Sequence, residues 1–206
     1  MKVIVFANQK GGAGKTTLTG HLAVQAEQEG LGPVALMDSD PQGSLAEWWN
    51  ERAAETPVFL SADLSLLSEQ LEALKKAGIK LVVIDTPPAV TETISNVIAF
   101  ADLVVIPSRP SPHDLRAVES TIKLVEQAKK PMVFVINGAA QRAKITADAA
   151  IALSQYGKVA PVTIYQRTDF AQSMIDGRTA QELDANSRSA KEIQELLKYV
   201  RKQLRI

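Results

Sequence analysis

The feature that most constrains this chain is a glycine-rich loop at residues 9–17, which reads QKGGAGKTT. Glycines allow consecutive backbone N–H groups to point at one anion. Lys15 can reach the β- and γ-phosphates of a nucleotide, and the Thr16 hydroxyl can bind Mg²⁺. Gln9 stands where such a loop usually opens with a glycine. Lys10 is an additional lysine, badly placed for its own nucleotide but well placed to reach out of the site.

The segments on either side of the loop support this interpretation. Residues 2–8 (KVIVFAN) form a short apolar run that is typical of a buried strand. Residues 17–29 carry apolar side chains at helical spacing, and Gly30 can end that helix. A helix that begins directly after the loop points the positive end of its dipole at phosphate. The nucleotide contacts that we predict here are Lys10, Gly11, Gly12, Ala13, Gly14, Lys15, Thr16 and Thr17.

Two further apolar runs end in aspartate. Residues 33–37 lead into Asp38 and Asp40, and residues 81–84 lead into Asp85. An acidic residue after an apolar strand is what a phosphate-loop enzyme uses to hold Mg²⁺, usually through water. Asp38 and Asp40 are two residues apart, so they lie on the same side if the strand geometry continues. Each of these aspartates could instead cap a loop.

Apolar periodicity predicts that strands and helices alternate along the chain. The predicted strands cover residues 2–8, 33–38, 57–60, 80–85, 102–107, 131–136 and 159–164. The predicted helices cover residues 16–29, 43–54, 64–77, 91–100, 114–128, 145–156, 169–175 and 187–204. This alternation predicts an α/β fold, with a mostly parallel, doubly wound central sheet flanked by helices.

No linker, repeat or low-complexity segment divides the sequence, so we expect one domain over residues 1–206. Ligands of a parallel sheet bind at the carboxyl ends of its strands. Five residues that can carry or shape a site fall at such ends: Asn8, Asp38, Asp85, Pro107 and Asn137. The proline-rich segment 107–112 (PSRPSP) is expected to be a stiff, non-helical loop.

Composition excludes several classes of protein. The chain has no cysteine, which removes disulfides, thiolate zinc sites and iron–sulfur ligands. The 23 Lys and Arg balance the 23 Asp and Glu, so net charge alone does not indicate a nucleic-acid partner. No apolar stretch approaches about 20 residues, and residues 3–7 are too short for a signal peptide. We therefore expect a cytoplasmic protein.

Taken together, the motifs KGGAGKTT, DSDPQG and VVIDTPP resemble those of the ParA/MinD family of deviant Walker-motif ATPases. Within that family the chain is most similar to small ParA-type partition ATPases that lack an N-terminal helix-turn-helix domain, because the loop begins only eight residues from Met1. The resemblance covers nearly the whole chain. It implies a homodimer that forms with ATP and Mg²⁺ between its two subunits.

The resemblance also implies roles for single residues. Lys10 would be the signature lysine that reaches the phosphates of the partner subunit, and Lys15 would hold those of its own. Thr16 and Asp85 would bind Mg²⁺, Asp38 would support the metal shell, and Asp40 would orient the attacking water. Lys10, Lys15 and Asp40 are thus the expected catalytic residues. Asn137 would contact adenine, although it could equally be a turn residue before Gly138.

Charge is distributed unevenly along the chain, which bears on a second partner. Residues 137–206 carry 11 Lys and Arg against seven Asp and Glu. ParA-type proteins bind DNA without sequence preference as ATP dimers, and the resemblance places basic residues in this part. The candidate DNA-binding residues are Arg167, Arg188, Lys191, Lys198, Arg201 and Lys202. A basic face can also be merely solvated.

A membrane surface is the alternative partner of the last helix. Its apolar stripe of Ile193, Leu196, Leu197, Val200 and Leu204 lies opposite the basic residues, as in helices that bind anionic bilayers. The stripe lacks Phe and Trp, so we expect it to pack on the core instead. His21 and His113 fit no ligand spacing and are expected to be structural.

The function that these features predict is a slow ATPase that positions a large cargo over the nucleoid. A ParB-like or other small partner protein would stimulate hydrolysis and release the dimer from DNA. Plasmids, chromosome origins, carboxysomes and chemoreceptor clusters are all cargoes in the family, and the sequence does not choose among them. The alternatives are a MinD-like ATPase that cycles on a membrane, a metabolic ligase with the same fold, and an inactive nucleotide-gated scaffold.

Overall fold

The structure is a computed structural model that describes residues 1–89 and 92–206. The strands are β1 (Lys2–Phe6), β2 (Val34–Asp38), β3 (Val58–Ser61), β4 (Leu81–Asp85), β5 (Leu103–Ser108), β6 (Met132–Ala139), β7 (Lys158–Val159) and β8 (Ile164–Tyr165). The helices are α1 (Lys15–Gln28), α2 (Ser44–Asn50), α3 (Leu67–Lys76), α4 (Glu92–Ala99), α5 (Pro112–Gln127), α6 (Lys144–Ser154), α7 (Thr168–Ser173), α8 (Ala180–Leu183) and α9 (Arg188–Leu204).

These strands form one parallel sheet in the order β3-β2-β4-β1-β5-β6-β7, and β8 pairs with the far end of β6. β1 lies in the middle, with β4 on one side and β5 on the other. In the register of the central strands, Phe6 is opposite Asp85, and Asp85 is opposite Asp38. The predicted α/β fold is confirmed, and the carboxyl ends of β1, β2 and β4 lie side by side.

Apolar side chains form a separate core layer on each face of this sheet. One layer packs α1 and α9 against alternate residues of the strands, and it includes Ile4, Leu22 and Leu196. The other layer packs α3, α4 and α5 against the opposite residues, such as Val5 and Ile122. The central strands are buried on both faces, which explains why they read as continuous apolar runs.

Two predictions about the chain after β5 and β6 are wrong in detail. Pro107 belongs to β5 and Pro112 is the first residue of α5, so the segment 107–112 is not wholly a loop. Proline is tolerated at the start of a helix because the N–H there has no helical partner anyway. The predicted strand 159–164 is two short strands, β7 and β8, which are separated by a segment that contains Pro161.

The remaining boundaries lie close to the predictions. Most ends differ by one to three residues, and α2 is four residues shorter at its end than expected. Helix α8 was not predicted. Position 91, where the fourth predicted helix begins, lies outside the described residues. Among the helices of the described residues, none combines the length and the apolar content needed to cross a bilayer.

Candidate functional site: a phosphate loop between three strand ends

The glycine-rich loop connects β1 to α1 and takes the conformation that anion binding requires. Gly12 and Gly14 have φ angles of 72° and 94°, in the left-handed region that glycine adopts without steric cost. Gly14 directly precedes the first residue of α1. A Cβ atom at Gly14 would lie 2.0 Å from the side-chain nitrogen Nδ2 of Asn137, so a larger residue there would have to displace the Asn137 side chain.

The two lysines of the loop have opposite environments. Lys15 is buried, at 6% exposure, and its ammonium is 3.5 Å from the carbonyl oxygen of Lys10. Burial lowers the pKa of Lys15, and the nearby carboxylates of Asp85 and Asp40 oppose that shift. The side chain of Lys10 is exposed and makes no ion pair within residues 1–89 and 92–206. Lys15 therefore faces its own site, whereas Lys10 faces outward.

Thr16 and Asp85 form a contact across the site. The Thr16 hydroxyl donates to Asp85 Oδ2 at 2.5 Å, and the Asp85 side chain is 1% exposed. Burial raises the pKa of Asp85 to about 7, although the Thr16 hydroxyl stabilises the charged form. A hydroxyl and a carboxylate are oxygen ligands of the kind that Mg²⁺ takes in nucleotide sites. These two residues therefore fit a Mg²⁺ ion whose remaining ligands a bound nucleotide and water would supply.

Both carboxylate oxygens of Asp38 accept hydrogen bonds from backbone amides. Its Oδ1 accepts from the Asp40 amide at 2.9 Å, and its Oδ2 accepts from the amides of Leu45 and Ala46 at 3.1 and 3.0 Å. Asp38 thereby caps the start of α2. Burial raises its pKa, even though these three amides favour the charged form. The metal-supporting role predicted for Asp38 stays a prediction, and the loop-capping alternative is what the hydrogen bonds show.

Asp40 has more freedom than its neighbour. Its Oδ1 accepts from the Gln42 amide at 3.0 Å, and the residue is only partly buried. Together with Asp38 it lines an open cleft of about 630 Å³ that extends to residues 61–65 after β3. Asp40 is thus less constrained than Asp38, and its role toward an attacking water stays a prediction.

A second cleft, of about 340 Å³, begins at Gly12 and Gly14 and runs along the ends of β6 and β8. Asn137 lies at its base and donates to the Ala13 carbonyl at 2.7 Å. Arg109 covers Gly138, and Phe170 of α7 forms part of the opposite wall. The cleft continues from the phosphate loop, which is where the base and sugar of a nucleotide would extend. The adenine contact of Asn137 stays a prediction.

The candidate DNA-binding residues fall into two groups. Arg167 lines the second cleft and donates to Glu192 from Nε and Nη2, at 3.0 and 2.5 Å. Its guanidinium also lies 5.5 Å from the centre of the Tyr165 ring. The hydrogen bond to Glu192 raises the pKa of Arg167. Arg167 is thus held within the protein, and its role toward DNA stays a prediction.

The other candidates lie on α9. Its apolar stripe is buried, with Ile193, Leu196 and Val200 all at 0% exposure, which confirms that the stripe packs on the core. Arg201 pairs with Glu29 at 3.3 Å. The exposed candidates share the face opposite the stripe, and they are Arg188, Lys191, Lys198 and Lys202.

Sequence reasoning missed the residues that hold the site together. Thr121 of α5 accepts from the Gln9 amide at 3.2 Å, and Ser39 donates to the Asp85 carbonyl at 2.6 Å. Thr86 donates to the Phe6 carbonyl at 2.7 Å. Asn8, noted only as a residue at a strand end, donates to Pro107 and accepts from Lys10. These polar residues border apolar strands, but nothing in their spacing indicates partners that are 46 to 112 positions away.

The fold and the loop define a P-loop nucleotide-binding protein. Residues 4–180 match the family described as the CobQ/CobB/MinD/ParA nucleotide-binding domain, and the chain belongs to this family. The glycine loop and the pair formed by Thr16 and Asp85 fit ATP and Mg²⁺, the cofactors of the ParA and MinD branch.

Three relatives illustrate the range of the family. The chain is 31% identical over 208 residues to the maintenance of carboxysome distribution protein A of Halothiobacillus neapolitanus, covering 96% of this chain and 95% of that protein. It is 40% identical over 125 residues to the protein of the same name from Gloeobacter kilaueensis, covering 59% and 55%. It is 33% identical over 134 residues to a ParA protein of Rhizobium radiobacter, covering 63% and 59%.

Solved structures agree on the fold. The MinC:MinD cell division complex of Aquifex aeolicus matches with a TM-score of 0.82 and 18% identity, covering 98% of this chain and 96% of that one. A plasmid partition protein of Borrelia burgdorferi, bound to AMPPNP, matches with a TM-score of 0.75 and 20% identity, covering 98% and 99%.

Proposed function

We propose that this protein is an ATPase of the ParA type that pairs with a second copy of itself when ATP is bound and thereby positions a cargo in the cell. The observation that carries the proposal is the contrast between Lys15, buried against its own loop, and Lys10, exposed at the rim. A lysine that points away from its own phosphates is useful when another subunit presents phosphates to it.

In this proposal the residues divide the work of phosphoryl transfer, which is mostly positioning and charge neutralisation. The amides after Gly12 and the Lys15 ammonium hold the phosphates of the same subunit. Thr16 and Asp85 would hold Mg²⁺, which would neutralise part of the charge on the phosphates when bound. Asp40 orients the attacking water. Lys10 of the partner adds a positive charge at the same phosphates, and a cation supplied in this way raises turnover by a factor of roughly 10³ to 10⁵ in GTPases.

The first test distinguishes the role of Lys10 from that of Lys15. In Lys10→Ala, we expect ATP-dependent pairing to disappear while one subunit still binds ADP with unchanged affinity. In Lys15→Ala, we expect ADP binding itself to weaken strongly, because this lysine serves its own site. Light scattering with and without ATP, together with titration of a fluorescent ADP, measures both quantities. A Lys10→Ala protein that pairs normally with ATP would refute the role of Lys10 between subunits.

We propose that DNA binds the exposed basic face of α9, and that pairing makes this binding effective. Phosphate contacts are individually weak and depend on salt, and two copies of the face double their number. The buried stripe of α9 leaves its apolar side unavailable to a bilayer, which supports DNA over a membrane surface. The association with the nucleoid follows from this binding.

A charge-removal experiment tests the DNA proposal. In a protein that carries Lys191→Ala, Lys198→Ala and Lys202→Ala, we expect weaker binding of random duplex DNA with ATP. The slope of log affinity against log salt should fall by about one for each lysine that contacts a phosphate. The matched control removes three exposed lysines elsewhere, at Lys76, Lys80 and Lys123. Equal losses in both proteins, or equal binding of anionic liposomes and DNA, would contradict a dedicated face.

Two relatives are named for carboxysome distribution, which favours a carboxysome as the cargo over a plasmid or a chromosome. The ParA relative keeps DNA partition as the second candidate. A stimulating partner protein, either ParB-like or another small protein, belongs to both candidates. Purification of the tagged ATP-bound protein, followed by identification of the co-purifying protein that accelerates hydrolysis, distinguishes the two cargoes.

A further inference from the structure

The carboxamide of Asn8 is buried between β1 and the glycine loop and uses both of its ends. The side chain is 2% exposed. Its Nδ2 donates to the Pro107 carbonyl at 2.7 Å, and its Oδ1 accepts from the Lys10 amide at 2.8 Å. One side chain thus connects Pro107, near the end of β5, to Lys10 of the glycine loop.

This connection fixes the backbone of Lys10 on one side, and the loop itself fixes it on the other. The carbonyl of Lys10 faces the Lys15 ammonium at 3.5 Å, so both peptide groups of Lys10 have partners. Pro107 lies in β5 opposite Val135 of β6, inside the sheet. The main chain of Lys10 is therefore tied to the rigid core, although its side chain is exposed.

The position of Lys15 depends on other contacts. Lys15 is the first residue of α1, and the amide of Leu18 in the first turn donates to the Gly14 carbonyl at 3.0 Å. Asn8 makes no contact with α1 among the hydrogen bonds of residues 1–89 and 92–206. Loss of the Asn8 carboxamide should consequently disturb the main chain of Lys10 and leave the main chain of Lys15 in place, while the 3.5 Å contact of the Lys15 ammonium with the Lys10 carbonyl is the one link between them.

We infer that Asn8 is a positioning residue for Lys10: it sets the direction in which the Lys10 side chain leaves the loop toward a second subunit. The inference rests on the proposed function, because Lys10 acts only in the pair. An unanchored Lys10 backbone would have to be ordered when the pair forms, and ordering one residue costs conformational entropy. Asn8 removes that cost in advance.

The experiment compares pairing with nucleotide binding in Asn8→Ala. We expect ATP-dependent pairing, measured by sedimentation, to weaken by about tenfold, the size expected from ordering one backbone residue. The affinity of the single subunit for a fluorescent ADP should stay within about twofold, because Lys15 keeps its place at the start of α1 and its ammonium loses at most the 3.5 Å contact with the Lys10 carbonyl. Asn8→Ser should recover part of the lost pairing, since a serine hydroxyl can accept from the amide two residues later.

Gln181→Ala is the matched control. Gln181 is also a buried carboxamide, at 5% exposure, and its Nε2 donates to the His21 carbonyl at 2.8 Å. A general loss of stability would affect both variants, whereas the inference expects only Asn8→Ala to lose pairing. Circular dichroism verifies that each variant is folded, and Asn8→Ser keeps the test open if Asn8→Ala is not.

Three results would overturn the inference. Asn8→Ala could pair like the unsubstituted protein, could lose ADP affinity as much as pairing, or could lose no more pairing than Gln181→Ala. Failure of the proposed function looks different: Lys10→Ala would then pair normally with ATP. That outcome would remove the inference together with the proposal on which it depends.

Discussion

Two carboxylates in different parts of the molecule, one buried and one partly buried, have opposite pKa shifts. Asp85 lies at the edge where β1, β2 and β4 end, and Glu182 lies in the segment 177–183, which packs on α1 and α2. Asp85 accepts from the Thr16 hydroxyl at Oδ2 and from the Thr86 amide at Oδ1, at 2.5 and 3.1 Å, and burial raises its pKa to about 7. Burial also disfavours the charge of Glu182, but the hydrogen bonds from Arg52 and Thr179 outweigh it and lower its pKa.

The difference lies in the number and kind of partners. Arg52 donates to both oxygens of Glu182, at 2.9 and 2.6 Å, and also to the Gly177 carbonyl at 2.7 Å. The amide and the hydroxyl of Thr179 donate to Glu182 as well, at 2.9 and 2.8 Å. Glu182 is therefore complete without a ligand. Asp85 has capacity for a cation, which is what distinguishes a carboxylate kept for function from one kept for structure.

Removal of the cation that pairs with Glu182 should have the greatest destabilising effect. The Arg52 side chain is 4% exposed, and Arg52→Ala leaves the partly buried Glu182 without its cation, which should cost about 3 kcal/mol of stability. Urea unfolding at pH 7 measures the loss. Arg178→Ala, which removes the exposed pair with Asp176, is the control and should leave the unfolding curve almost unchanged. Similar curves for the two variants would show that Glu182 does not need its partner.

Removal of the charge of Asp85 should stabilise the protein, in contrast to removal of the partner of Glu182. The folded pKa of Asp85, about 7, is above its unfolded value of 3.8, so ionisation of Asp85 destabilises the nucleotide-free protein progressively as pH rises from about 4 to 7. Asp85→Asn has no such charge, and at pH 8 it should be about 3 kcal/mol more stable than the unsubstituted protein, while it loses ATP hydrolysis. Urea unfolding at pH 5 and pH 8 measures the difference. A destabilised Asn variant at pH 8 would contradict the comparison.

His21 lies close to Glu182 and Arg52 and should make the stability of the protein depend on pH. His21 is fully buried, and burial lowers its pKa to about 4, with Glu182 opposing this shift and Arg52 adding to it. Because the unfolded chain binds a proton that the folded chain rejects, stability falls as pH drops below 6.5. The loss attributable to His21 between pH 7 and pH 5 should be about 2 kcal/mol.

Unfolding of His21→Gln at the two pH values checks this prediction. The variant should show a smaller loss than the unsubstituted protein, whatever its absolute stability. His113 is exposed, so His113→Gln serves as the control and should keep the full difference between the two pH values. An unchanged difference in His21→Gln would mean that the imidazole accepts a proton in the folded state without cost.

Much of the fold could be predicted from sequence because its central strands are buried on both faces. Runs such as LVVI before Asp85 have few interpretations other than a parallel strand. The loop was equally clear, since Lys15 and Thr16 follow glycines at fixed spacing. The structure places Thr16 beside Asp85, which is 69 positions away, as the order of the strands requires.

The parts that sequence could not predict depend on contacts between distant segments. Helix α8 has only four residues, and its capping box and the bond from its Ala180 amide to His21 hold it in place. Its own apolar pattern is too short to indicate a helix. His21 was correctly expected to be structural, but the sequence gives no sign that Nε2 accepts from Ala180. Arg167 is similar, because its pair with Glu192 joins two elements that are far apart in the chain.

The cap that Asp38 places on α2 makes that helix a short lever. At one end its first amides are attached to the carboxylate of Asp38, and toward the other end Trp48 Nε1 donates to the Arg178 carbonyl at 3.0 Å. Seven residues of helix span about 10 Å. Helix α2 therefore joins the end of β2, where Asp38 lies, to residues 177–183, so a displacement of Asp38 would be passed along α2 to the Arg178 carbonyl.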